Sequence, residues 1–279
     1  MNTTARYACA IFLSALLLFQ IQPVIAKYIL PWFGGTSAVW TTCMLFFQVA
    51  LLVGYAYAHL SIRLLSQRRQ ALLHGLLLLG CLALLPVIPA ETWKPVAGSS
   101  ENWGIMGLLA VTIGGPYCVL SANTPLLQAW FSREKPGAAP YRLFALSNIG
   151  SLLALVSYPF LVEPSLSLRM QVYVWSATFV LFAAFCGWCA WCVFRSSGPT
   201  DGEPAWSDSP APQDDPNPPA RPGWFDCALI LLLPTCACVL LLATTNQMSQ
   251  DMPVVPFLWV LPLALYLLSF IICFDRDRW

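Results

Sequence analysis

Side chains able to do chemistry are few in this chain, and most of them are amides set inside long apolar runs. Gln20 and Gln22 share one run, Asn123 lies between Ala122 and Thr124 in another, Asn148 follows Ser147 in a third, and Asn246 closes a fourth. An amide both donates and accepts, and it is costly to bury in hydrocarbon without a partner. Each is therefore a candidate binding group. Together they suggest a polar cavity in which Gln20, Gln22, Asn123, Asn148 and Asn246 hydrogen-bond a solute. Pro116 and Pro125 flank the Asn123 segment and would free backbone carbonyls in the same region. The competing reading is structural, because such amides also bond across helices, at about 0.6 kcal/mol a pair.

Three charges, Lys27, Glu163 and Asp251, fall near the ends of apolar runs, on one expected outer face. They could form an ion pair or gate, or reach into the headgroup layer. No carboxylate is expected at mid-membrane, which argues against a polyamine or metal cation as cargo. Cys186, Cys189 and Cys192 recur every third residue on one helical face, a spacing that thiolate ligands of a soft metal could use. With no His or acid close in sequence, small packing side chains explain them as well, and no metal site is assigned. His59 and His74 bracket Arg63, Arg68 and Arg69 at an expected interface. Ser147 with Ser151, and Gly150 with Ala154, are small residues four apart, which let helices approach closely. Phosphate-loop, dinucleotide, zinc-protease and hydrolase-elbow motifs are all missing, so no catalytic residue and no cofactor is assigned.

These residues need elements to hold them, and composition says which. Hydrophobic residues make up 58% of the 279 and charged residues 10%, where a soluble domain carries about 25% charged. The net charge of +1 offers no field for nucleic acid. The eleven cysteines lie almost wholly in apolar runs, which disfavours a disulfide framework. A bilayer core about 30 Å thick asks for about 20 apolar residues per helix. About eight stretches answer: Tyr7 to Leu30, Ser37 to His59, Gln70 to Pro89, Trp103 to Trp130, Leu143 to Val162, Gln171 to Phe194, Trp224 to Thr245 and Val254 to Phe274. They are apolar on all sides, as a lipid-spanning helix is and a barrel strand is not. The expected class is an all-α membrane protein, with the lipid bilayer as its first partner.

The first stretch also fits a secretory leader, with Arg6, an apolar run and a Val24-Ile25-Ala26 cleavage site. Gln20 and Gln22 inside it, and an apolar tail reaching Pro31, favour a retained helix. Of the 14 basic residues, 11 fall with the termini and the even-numbered connections. The positive-inside rule then places both termini in the cytoplasm of a multi-pass inner-membrane protein.

Residues 196–223 are rich in proline and acids, a composition suited to an extended linker. The domains expected are a six-helix bundle at 1–195, the linker at 196–223, and two further helices at 224–279. Six helices, a cytoplasmic linker and more helices is the layout of major-facilitator transporters, here as an incomplete 6 + 2 bundle.

Longer stretches carry a more specific resemblance. They are Phe19-Gln20-Ile21-Gln22-Pro23 with Leu30-Pro31-Trp32-Phe33-Gly34-Gly35, and Pro140 to Ser151 continuing through Tyr158-Pro159-Phe160-Leu161-Val162-Glu163-Pro164. The third runs from Ala243-Thr244-Thr245-Asn246-Gln247 through Pro256 to Leu267. In these the chain resembles the membrane region of bacterial fused major-facilitator/spermidine synthase proteins. The resemblance implies a role anchoring or serving a cytoplasmic aminopropyl-transferase domain that has no counterpart here, so no catalytic aspartate is carried over. A stand-alone permease for a small solute and the remnant of a split gene are the alternatives. An incomplete bundle would also expose polar faces, which points to a homo-oligomer or a second polypeptide.

Overall fold

The computed structural model describes residues 2–34, 36–95, 101–135, 141–196, 223–251 and 256–275. It is helical throughout, with no β-strand among the described residues. The helices are α1 (Thr3–Phe33), α2 (Ser37–Leu64), α3 (Gln67–Ala83), α4 (Glu101–Leu109), α5 (Gly115–Glu134), α6 (Tyr141–Ser157), α7 (Glu163–Ser165), α8 (Leu168–Ser196), α9 (Trp224–Asp251) and α10 (Pro256–Asp275). Two π-helical turns, Ala110–Gly114 and Tyr158–Val162, join α4 to α5 and α6 to α7 without interrupting either rod. Pro116 follows the first by two residues and Pro159 lies within the second, and the missing N–H and bulky ring of a proline disturb the ordinary ladder. A wider turn absorbs that disturbance. The chain therefore stays helical through Pro116 and Pro125, where the sequence suggested a broken backbone.

Among the described residues, six helical segments are long and apolar enough to cross a membrane: Thr3–Phe33, Ala38–Leu64, Asn102–Glu134, Arg142–Ser165, Leu168–Ser196 and Trp224–Thr244. The protein is thus membrane-embedded by length and composition. The expected stretch from Gln70 to Pro89 is helical only as the 17-residue α3. That is about 26 Å of helix, ending before Pro86 and Pro89. The last expected stretch, Val254 to Phe274, is helical from Pro256 as the 20-residue α10, about 30 Å of helix.

The core is built around α1, which packs against α5, α6 and α8 and touches α2. Ile11, Leu17, Ile21, Ile25 and Ile29 on α1 are fully buried, four of them spaced four apart so that they line one face. From α8, the Trp175 indole donates to the Leu17 carbonyl at 3.0 Å, fixing the two helices in register. α1 stops where Gly34 takes φ +84° and its N–H bonds the Leu30 carbonyl, a positive φ that glycine adopts without strain. α2 lies on α5, α3 on α8, and α10 on α6, while α9 packs chiefly on α10. No residue in the apolar window of α9 is fully buried by protein. Most of its leucines, Leu231 to Leu233 among them, are exposed, as lipid-solvated side chains are.

The charged ends sort themselves. Arg6 on α1 meets Glu134 at the end of α5, and Lys135 donates to Thr4. At the same end Arg68 stacks on Phe194. At the other end Lys27 pairs with Glu163, and Lys94 lies over the Trp32 ring.

Candidate functional site: a polar-lined cavity inside the bundle

A partly open cavity of about 630 Å³, its wall mostly apolar, is bounded by α1, α2, α5 and α6, with α9 and α10 along one side. Its polar lining is Gln22, Gln48, Tyr55, Tyr117, Ser121, Thr124, Gln128, Ser147, Asn148 and Ser151. Phe19, Phe47, Phe144, Tyr266 and Phe270 supply much of the rest. No Lys, Arg, His, Asp or Glu lines it among the described residues.

Helical periodicity explains why these residues converge. Tyr117, Ser121, Thr124 and Gln128 follow a 4-3-4 spacing on α5, which keeps them on one face. Phe144, Ser147, Asn148 and Ser151 share a face of α6 at i, i+3, i+4 and i+7, and Phe47, Gln48, Leu51 and Tyr55 one of α2 at i, i+1, i+4 and i+8. Two glycines bring the walls together. A Cβ on Gly54 would stand 2.7 Å from the Cys118 carbonyl oxygen, and one on Gly150 would stand 2.8 Å from that of Phe12.

Several polar groups already have partners. Gln22 Nε2 donates to the Tyr117 hydroxyl at 3.1 Å, linking α1 to α5 across the cavity wall. Asn148 Nδ2 bonds its own helix at the Phe144 carbonyl, 3.0 Å away, and the Ser121 and Ser151 hydroxyls also bond back to their helices. Gln128 differs. Its Nε2 is buried and has no hydrogen-bond partner among the described residues. A buried donor left without an acceptor costs about 1–3 kcal/mol, and here it belongs to a cavity wall.

Of the amides singled out in the sequence, Gln22 and Asn148 meet at this cavity. Gln20 lies two residues from Gln22, about 200° around the helix, so both cannot face one space, and Gln20 is not part of the lining. Asn123 is fully buried elsewhere, among α1, α5 and α8. It donates to Ser14 Oγ at 2.9 Å and accepts from the Cys186 thiol at 3.1 Å. It is thus an interhelical tie, one step out of phase with the Ser121–Thr124–Gln128 face. The side chains of Asn246 and Asp251 lie outside the described residues. Lys27 and Glu163 form an ion pair of 2.6 Å, each about one-third exposed, and Lys27 Nζ lies 5.9 Å from the centre of the Tyr158 ring.

Sequence reasoning overlooked Gln48, whose seven-residue spacing from Tyr55 was the available signal. It also passed over Glu134, which takes the Arg6 guanidinium at 2.5 and 2.6 Å and the Tyr7 hydroxyl at 2.9 Å. His74 is fully buried among protein side chains. It stacks on Tyr57 and meets the edge of Trp130, whose indole donates to Gln70. No protein-family model, no curated protein and no solved structure matches this chain.

Proposed function

We propose that the bundle binds a small, uncharged, hydrogen-bonding solute in this cavity and passes it across or out of the membrane. One observation carries the reading: the cavity has neutral polar groups on four helices, Gln22 on α1, Gln48 on α2, Thr124 and Gln128 on α5 and Asn148 on α6. A volume of about 630 Å³ suits a metabolite-sized molecule, since ligand sites run about 300–1,000 Å³. The aromatic side chains favour a solute with a planar or apolar part. A polyamine or a metal cation would need carboxylates that this lining does not contain.

The sequence resemblance supports a second version. The stretches that resemble fused major-facilitator/spermidine synthase proteins contribute Phe19 and Gln22, then Phe144, Ser147, Asn148 and Ser151, then Leu263, Tyr266 and Leu267 to this same wall. On that version the cavity exchanges its solute with a cytoplasmic enzyme domain, in a bacterial inner membrane with both termini inside. Tagging the native product at its amino terminus separates the versions. A band near 30.8 kDa favours a permease acting alone, and a band tens of kilodaltons larger favours the fusion.

The binding claim is tested by screening neutral solutes for thermal stabilisation of the purified protein. A ligand at 100 times its Kd adds about 2.7 kcal/mol. Stabilisation lost in Gln128→Leu and Asn148→Leu, with both variants still folded, is the expected result. A shift that survives both substitutions would place the ligand elsewhere and sink the reading.

A further inference from the structure

A second concavity, of about 360 Å³, lies along the seam between α3 and α8 and is lined only by apolar residues. Small residues make the room, with Ala71 and Gly75 on α3 facing Ala183, Gly187 and Ala190 on α8. A Cβ at Gly75 or Gly187 would meet nothing within 4 Å. On α3 the lining runs from Ala71 to Leu82, about 16 Å along the axis, close to the depth of one leaflet of a bilayer core about 30 Å thick.

One end of this slot is basic. Trp191 and Phe194 line it there, and each carries a guanidinium on its ring: Arg195 at 5.6 Å and Arg68 at 4.5 Å. Arg63, in the last turn of α2, and Arg69, beside Arg68, add to the same end. All four arginines are exposed, and none pairs with a carboxylate among the described residues. A stacked guanidinium keeps its N–H edge free for a phosphate.

We propose that this slot binds an anionic phospholipid, one acyl chain lying along Gly75, Leu79 and Gly187 and the headgroup phosphate held by Arg68 and Arg195. An apolar slot one leaflet deep with a cationic rim matches that molecule at both ends. A transmembrane helix of a partner would fill the slot and gain nothing from the rim. The acidic segment that follows Ser196 would suit the rim, but its prolines and acids supply nothing for the slot.

The test is native mass spectrometry of the full chain in mild detergent. The probes are dioleoyl phosphatidylglycerol, dioleoyl phosphatidylcholine and inorganic phosphate. Retention of the glycerol lipid about tenfold above the choline lipid is expected, since each basic residue at a membrane surface favours anionic lipid by a comparable factor. R68Q with R195Q brings the two lipids to parity. Gly187→Leu removes both adducts from a protein that still folds, because the new side chain enters open space. Equal retention of both lipids by the parent would overturn the proposal. So would a preference unmoved by the arginine substitutions, displacement of the lipid by inorganic phosphate alone, or a dimer that Gly187→Leu dissociates, which would put a second copy in the slot.

Discussion

Gly150 offers a quantitative test of how the bundle is closed. It lies on α6 where that helix crosses α1, and a Cβ there would stand 2.8 Å from the Phe12 carbonyl oxygen and 3.3 Å from the Ala15 Cβ. Ordinary contact begins at 3.4 Å, so Gly150→Ala must push α6 outward or move α1. The Phe12 carbonyl belongs to the backbone of a long helix and cannot yield alone, and α1 is held by α5 and α8 on its other sides. Overpacking of this kind costs about 1–3 kcal/mol. Replacing a mid-helix glycine returns somewhat under 1 kcal/mol through helix propensity. The net expectation is a loss of up to about 2 kcal/mol. Gly80→Ala on α3 is the matched control, because nothing lies within 4 Å of its Cβ. That variant should match the parent or gain up to about 1 kcal/mol. Titrating both with a denaturing detergent, followed by helical circular dichroism, measures the difference. If Gly150→Ala is as stable as Gly80→Ala, the α1–α6 seam is looser than described and the reasoning fails.

Asn123→Ala should lower stability by about 1–3 kcal/mol, because Ser14 and the Cys186 thiol lose a buried partner. Any solute binding should persist in the folded fraction, and a selective loss of binding would make Asn123 a site residue instead. Arg6→Gln and Glu134→Gln, combined in a double-mutant cycle, should show a coupling of about 1–3 kcal/mol, since the Arg6 side chain is only 10% exposed. Additive effects would mean the pair contributes nothing. Lys27→Met should cost no more than about 1 kcal/mol, the Lys27–Glu163 pair being about one-third exposed on both sides. A larger loss in the same denaturation assay would assign it a structural role. A fluorescent reporter that matures only in the cytoplasm, fused after Ser196, should light up, whereas darkness there and fluorescence after Ser165 would invert the topology.

What could be read from the sequence was length and polarity; what could not was rotation about each helix axis. Long apolar runs located the helices, and Pro86 and Pro89, just past Ala83, explain why the third stretch comes up short. A run apolar on all sides carries no marker of which face meets protein, so the amides in it could be found but not aimed. Gln20 and Gln22 show the consequence, since only one of two residues about 200° apart can face a given space. Asn123 shows it again, for its place in the bundle is fixed by Ser14 and Cys186, 109 and 63 residues away in sequence. The phase was recoverable only where several weakly polar residues repeat. Tyr117, Ser121, Thr124 and Gln128 trace one face by their 4-3-4 spacing, and Gln48 with Tyr55 traces another. Because lipid penalises every unpaired polar group, a lone amide is compatible with a neighbouring helix or a ligand as its partner. A stripe is different: one crossing helix meets it over only part of its length. The remainder must find either more protein or a solute, and on α5 it is Thr124 and Gln128 that line the cavity.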